Sequence, residues 1–315
     1  MAAEGAIPAM ARPLHKRLRD GLVYRLSQLM CFLGRITPRP VGYAAAETLG
    51  AIGYALAAGE RRKTLRNLQS ALGEELSAKQ LRRIARGMFV HYAKVGYEVS
   101  RLAKLSKEKI RELIDFEGLE AVEQAVRDGR GVIAATGHIG NWEMMGAAVS
   151  RLGLPVNVIA RRINNERLNQ LVIGLRDRIG IRTIMRESGN SAKQLLRALR
   201  RGELLALLID QDVRVDGCFV DFFGRPAFTP TGAAALAQRT GALLVAASIQ
   251  RLDDGRHLVR AVPVEISRNA DAERAIITAT AEVTAHFERW IRERPEQWCW
   301  NHDRWRRAAE AESAT

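Results

Sequence analysis

Apolar residues along this chain follow two periods, and the alternation between them predicts helices and strands in turn. From Ser77 to Arg101 they recur every three to four positions, placing Leu81, Ile84, Ala85, Met88, Phe89 and Tyr92 on one helical side. A second helix, Leu119 to Arg127, stops at Gly129 and leads into the continuous apolar strand Val132–Ala135. Gly137 and Gly140 mark a tight turn into a helix reaching about Leu152, and Pro155 opens a strand from Val156 to Ala160. Ser191 caps a helix ending at Gly202, followed by the strand Leu204–Ile209. Thr231 begins another, ending near Gly241 before the strand Leu243–Ser248. A last strand, His257–Val262, precedes a long helix from Ala272 to Arg294. This order predicts an α/β fold with a central mixed sheet flanked by helices.

The N-terminal third lacks this alternation. Leu22–Ile36 is apolar with Arg25 and Arg35 near its ends; Val41–Ala58 is long but rich in alanine and glycine and interrupted by Glu47. A carboxylate in mid-span costs about 2.5–3.5 kcal/mol on insertion scales, so buried or interfacial helices are expected in place of a spanning one. Residues 1–20 carry Arg12, Lys16, Arg17 and Arg19 without the apolar core of a cleavable leader. The expected organisation is an N-terminal helical region over 1–110, an α/β domain over 111–307 and a disordered tail over 308–315.

At 47% apolar residues in 315, the chain has ample material for a core and is no disordered polymer. A net charge of +14 predicts attraction to polyanions: nucleic acid, an anionic membrane, a phosphorylated glycolipid or an acidic carrier protein. Arg61-Arg62-Lys63, directly after an apolar segment, suits anionic headgroups. Cys31, Cys218 and Cys299 are too scattered for a disulfide framework or a zinc site, which fits a reducing compartment. The six histidines show no metal-ligand spacing. Neither a GxxxxGK[ST] phosphate loop nor a GxSxG elbow occurs.

The candidate chemistry centres on His138-Ile139-Gly140-Asn141-Trp142-Glu143. A histidine can take a proton from a hydroxyl near neutral pH, and a carboxylate can hold its ring and stabilise the imidazolium. Residues five apart on one helix point about 140° from each other, so the pair requires the turn, with His138 in it and Glu143 in the first helical turn. Transfer by direct attack of an acceptor hydroxyl needs such a base, an orienting carboxylate, a charge for the oxyanion and an apolar slot. Arg161 at a strand end is placed to grip a phosphate, and Asp210 and Asp212 follow another strand. Gly217, Gly224, Pro226 and Pro230 indicate a loop holding Phe219, Phe222, Phe223 and Phe228, placed to line an apolar channel or dip into a membrane. Trp290, Trp298, Trp300 and Trp305, interleaved with arginines, suit a membrane interface or single-stranded nucleic acid.

Five ordered blocks carry a resemblance. Gly137–Glu143, Arg161–Asn165, Asp210–Asp212, Phe222–Gly232 and Pro295–Trp305 together resemble the bacterial lipid A biosynthesis (lauroyl and myristoyl) acyltransferases, of the lysophospholipid acyltransferase superfamily. The likeness runs from about Leu22 to Trp305. It implies a glycerolipid acyltransferase-like fold with a membrane-anchoring N-terminal region, at the cytoplasmic face of the inner membrane. The implied reaction moves a fatty acyl chain from an acyl-carrier-protein thioester to a hydroxyl of a lipid A precursor. The resemblance assigns His138 and Glu143 as an HX4E catalytic dyad, and Arg161, Asn165, Asp210 and Asp212 as substrate-binding, with no cofactor and no metal. Arg162 departs from the proline common at its position.

Two alternatives remain open in the sequence. Phosphatidylinositol mannoside acyltransferases are similar in the central blocks, and acyl-CoA can replace the carrier protein. A basic nucleic-acid-binding protein would explain the charge but leave the His138 block idle, and no RNP, KH or helix-turn-helix signature supports it.

Overall fold

A computed structural model describes residues 13–267 and 271–308. Four helices come first: α1 (Leu14–Ile36), α2 (Arg39–Leu56), α3 (Ala58–Leu72) and α4 (Ala78–Arg101). Helix α5 (Lys107–Leu113) leads to β1 (Ile114–Glu117), and α6 (Leu119–Arg127) to β2 (Val132–Thr136). Then follow α7 (Trp142–Arg151), β3 (Val156–Ala160), α8 (Glu166–Arg178), β4 (Ile181–Met185), α9 (Ser191–Arg200) and β5 (Leu204–Leu208). A hairpin of β6 (Gly217–Phe222) and β7 (Arg225–Pro230) precedes α10 (Gly232–Thr240), β8 (Leu243–Arg251), β9 (His257–Val264) and α11 (Ala272–Glu293).

The seven-stranded sheet has the order β1-β9-β8-β2-β5-β3-β4. Strands β8, β2, β5, β3 and β4 run parallel; β9 pairs antiparallel with β8 and parallel with β1. The sheet is therefore mixed but mostly parallel, β9 against β8 being its antiparallel pair. Every residue of β2 is buried, because helices cover both faces. Ile133 and Ala135 join a core with α3, α4, α10, α11 and the hairpin, while Val132 and Ala134 join another with α5, α6 and α7. The period-two alternation of a strand sorts these neighbours to opposite sides.

Helix α4 is held at its start by a capping box between Ser77 and Gln80. Its partner α2 buries only Gly42, Ala46 and Gly50. Small residues let the two helices close together: a Cβ at Gly50 would lie 2.4 Å from the Val90 Cα. The alanine-glycine composition of α2 thus serves packing. Helix α1 is almost entirely exposed, including Leu18, Leu22, Leu26, Leu29, Leu33 and Ile36, which recur on one side. No helix among the described residues is long and apolar enough to cross a membrane.

Several expectations need correction. The four-phenylalanine segment is a β-hairpin, not a loop; Phe222 and Phe223 are buried against Trp298, Trp300 and Trp305. Trp290, Trp298, Trp300 and Trp305 are all buried, so they pack the core and do not face a membrane interface. Asn190, not Ser191, occupies the cap position of α9. The tail expected over 308–315 lies, from 309 onward, outside the described residues. Ala308 is buried.

Candidate active site

Strands β2, β3 and β5 lie side by side and parallel, so the residues following them gather at one sheet edge, where α/β crevices open. His138 follows β2, Arg161 follows β3 and Asp210 follows β5. The His138 turn is shaped by Gly140, in the left-handed region at φ 63°, where a Cβ would lie 1.7 Å from the Ile249 carbonyl oxygen. Asn141 then caps α7, its Oδ1 accepting from the Met144 N–H at 3.0 Å.

The carboxylate on the His138 ring is Asp210, not Glu143. His138 Nδ1 lies 2.8 Å from Asp210 Oδ1, and the His138 backbone N–H donates to Asp210 Oδ2 at 2.7 Å. Trp298 Nε1–H donates to the same Oδ2 at 2.9 Å. Burial favours the neutral acid, but the His138 charge and these hydrogen bonds outweigh it and hold Asp210 at about 2. Burial likewise pulls the His138 pKa down, yet the charge and hydrogen bond of Asp210, with the more remote charge of Glu143, raise it above its ordinary value. With Nδ1–H given to Asp210, the imidazole has Nε2 left to accept a proton.

Glu143 is held by Arg176 of α8: Nε donates to Oε2 at 3.0 Å and Nη2 to Oε1. The expected His138–Glu143 hydrogen bond is therefore replaced by a His138–Asp210 pair and a Glu143–Arg176 pair. Asn165 has protein partners at both ends of its amide. It caps α8 through Leu168 N–H at 3.2 Å and donates to the Asp20 carbonyl of α1 at 2.8 Å. Asp212 is buried and binds the C-terminal segment, accepting from Arg307 N–H at 3.1 Å with the Arg307 Nε also 3.1 Å away. Arg161 is exposed at the same edge as His138.

Beside this edge an apolar cavity opens between α7 and the sheet. Ala134, Val158, Leu204, Ala206 and Val245 of the strands line it, with Met145, Gly146 and Val149 of α7. Thr136, Trp142, Glu143 and Arg176 bring polar groups to the same lining. The His138 ring meets the Trp142 ring edge-on, centroids 4.8 Å apart, so the imidazole adjoins the cavity. The apolar lining suits a hydrocarbon chain. No group of three or more metal-binding side chains occurs among the described residues.

Sequence reasoning missed Trp298 as an Asp210 donor, Arg176 as the Glu143 partner and the cavity itself. The first two pairs join residues 88 and 33 positions apart, which no local spacing reveals.

The family described as bacterial lipid A biosynthesis acyltransferase matches residues 15–307. A phosphatidylinositol mannoside acyltransferase of Mycobacterium tuberculosis is 31% identical over 158 residues, which is 49% of this chain and 50% of that protein. A lipid A biosynthesis acyltransferase of Haemophilus influenzae is 25% identical over 243 residues, 76% of this chain and 74% of the relative. A lipid A biosynthesis palmitoleoyltransferase of Escherichia coli is 26% identical over 209 residues, 65% and 66% of the two chains. The chain spans about half the length of the mycobacterial relative.

Proposed function

The chain belongs to the bacterial lipid A biosynthesis acyltransferase family, and from that premise we propose that it moves a fatty acyl chain from a thioester donor to a hydroxyl of a glycolipid. The observation that carries this reading is the His138–Asp210 pair abutting, through Trp142, the mouth of an apolar cavity. A base that holds no nucleophile of its own, beside a hydrocarbon slot, fits direct transfer.

In this mechanism the acyl chain lies in the cavity with its thioester carbonyl at the rim. The acceptor hydroxyl donates its proton to His138 Nε2 as its oxygen attacks the carbonyl carbon. Asp210 stabilises the imidazolium that forms, as a buried carboxylate does for a general-base histidine. The carbon–sulfur bond then breaks, and the proton passes from Nε2 to the leaving thiolate. Arg161 grips an anionic group of donor or acceptor. Glu143 contributes charge, through space and with Arg176, and is not the ring's hydrogen-bond partner.

The finer assignment is an acyl-carrier-protein donor and a lipid A precursor as acceptor, at the cytoplasmic face of the inner membrane. Two relatives named for lipid A biosynthesis, each aligning over about two thirds or more of this chain, support that acceptor. The mycobacterial relative supports the acceptor of the second reading, a phosphatidylinositol mannoside, for which acyl-CoA is the alternative donor. The exposed apolar side of α1, with the net charge of +14, supports peripheral docking on anionic lipid.

The test incubates purified protein with acyl-carrier-protein and acyl-CoA donors, each against a tetraacyl lipid A precursor and a phosphatidylinositol mannoside. Products are weighed by mass spectrometry. Added acyl mass in one acceptor, lost in His138→Ala, is the expected result. Transfer by H138A at the wild-type rate overturns the base assignment; no product from any pairing overturns the activity.

A further inference from the structure

Three residues past His138, the turn is tied to a buried polar network that the chemistry above does not use. Glu98 of α4 and Arg251 at the end of β8 form a two-point ion pair, Nε to Oε1 at 2.9 Å and Nη2 to Oε2 at 2.8 Å. Both are buried. Asn141 Nδ2 donates to Glu98 Oε2 at 2.8 Å, and Tyr43 of α2 donates its hydroxyl to Oε1. Arg251 donates from Nη1 to His91 Nδ1 at 2.9 Å, and the opposite nitrogen of that ring faces the Gly140 carbonyl at 3.2 Å. Burial, then the Arg251 charge, push the His91 pKa to about 3, so the ring is neutral and donates from Nε2. The Arg251 backbone exchanges two hydrogen bonds of 2.8 Å with the Gln297 side chain. The Gln297 carbonyl in turn accepts from Gly140 N–H at 2.8 Å.

The branches through Asn141, His91 and Gln297 end on the turn, while Tyr43 and His257, whose Nε2 lies 3.4 Å from Glu98 Oε1, hold Glu98 itself. Gly140 is gripped at N–H by Gln297 and at its carbonyl by His91, while Asn141 is gripped at its side chain by Glu98. A buried ion pair is weak evidence for stability, since apolar residues of similar volume often serve as well. What such a pair supplies is fixed geometry, and here that geometry belongs to the two residues that set where His138 leaves the turn.

We propose that Glu98 is a positioning residue for His138, acting through Asn141 on one side and through Arg251, His91 and Gln297 on the other. The proposal rests on His138 being the base. Displacements of the order of 1 Å at a reacting group lower rate about 100-fold. The network therefore acts on kcat and not on donor binding, since none of Glu98, His91, Asn141, Arg251 and Gln297 lines the cavity.

The test uses Asn141→Ser, whose hydroxyl keeps the cap on Met144 but does not reach Glu98, and Glu98→Gln. Tyr43→Phe removes one bond to Glu98 and no charge, and serves if either of the others fails to fold. Two quantities are read: kcat and donor KM, and the titration of the His138 ring in carbon-13 histidine-labelled protein, assigned by its absence in H138A. Asp210, Glu143 and His302, the titratable groups acting on or beside His138, are present in every variant. The expected result is a kcat reduced about 10- to 100-fold at unchanged KM, with a shifted or broadened His138 titration. Wild-type kcat and titration in a folded variant overturn the proposal, and so does a lowered kcat with an unchanged titration. Should the wild-type protein transfer no acyl group at all, the functional reading fails; the titration then decides the positioning role alone, a wild-type curve in the variants overturning it.

Discussion

Asp210 holds His138 at two points, its Oδ1 2.8 Å from the ring Nδ1 and its Oδ2 2.7 Å from the backbone nitrogen. One carboxylate therefore fixes both the place of the residue and the tautomer of its ring. Asp210→Asn keeps the shape and one acceptor but loses the charge that stabilises the imidazolium. The expected outcome is a kcat lowered roughly 100- to 10,000-fold, with a far-ultraviolet dichroism spectrum like wild type. Steady-state kinetics on the purified variant checks it.

The same pair sets the pH response. Transfer requires neutral His138, whose pKa stands above its ordinary value of 6.5. Turnover per KM should therefore rise with pH through a midpoint above 6.5, and in D210N that midpoint should move down. Stability follows the signs of the two shifts. The Asp210 contribution is present above its ordinary value of 3.8 and lost as pH falls toward 2. The His138 contribution is present below 6.5 and lost as pH rises through the raised value. Urea unfolding of wild type and D210N at pH 5 and pH 9 should show the larger difference at pH 5.

Glu143→Gln should impair transfer less than H138A or D210N, because Glu143 acts on the imidazole through space and not through a hydrogen bond. It leaves Arg176 without its carboxylate at the cavity rim, so donor KM should change more than kcat. An E143Q enzyme as inactive as H138A would restore Glu143 to the dyad.

Gly146 faces the cavity from α7, and a Cβ there would lie 2.9 Å from the Ile181 Cδ1. Gly146→Ala should shorten the preferred acyl chain without destabilising the protein. Alanine gains about 1 kcal/mol of helix propensity over glycine, which offsets the small shift asked of Ile181. Competition between donors of different chain length, read by mass spectrometry, should show the product distribution moving to shorter chains. An unchanged distribution removes the cavity from the acyl pathway.

Leu22 and Leu29 project from the exposed side of α1, at 60% and 51% exposure. Replacing both with glutamate should lower flotation with anionic vesicles, since each change removes apolar contact and adds repulsion. Activity on detergent-dispersed substrate should survive, because both side chains are exposed and neither lines the cavity. Full flotation by the double variant would place the lipid contact elsewhere.

Much of this protein is legible in its sequence, for identifiable reasons. Helix α4, helix α6 and strands β2, β3 and β5 declare themselves because their apolar residues repeat every 3.6 residues or form short runs bounded by glycine, proline or charged residues. His138 is legible too, since a histidine after a buried strand and between two glycines has few other uses. Elements β4 and β6 were hidden. Arg182 and Thr183 break the apolar run of the first, and glycines and prolines bracketing the hairpin read as a loop.

The tertiary structure alone decided who partners whom. Glu143 is five residues from His138, yet the helix it begins turns it toward Arg176, while Asp210 comes from a strand 72 residues on. Parallel pairing of β2 with β5 brings their carboxyl ends to one edge, and no local pattern encodes that register. Tryptophans interleaved with arginines near the C-terminus suggest a membrane interface, and the glycines and prolines around Phe219–Phe228 suggest a channel or membrane-dipping loop. The fold buries them, because only a packed core could seat Trp298 against Asp210 and leave the apolar cavity on the sheet's other face. Residue type fixed what chemistry was available; the long-range pairing of strands determined where it is assembled.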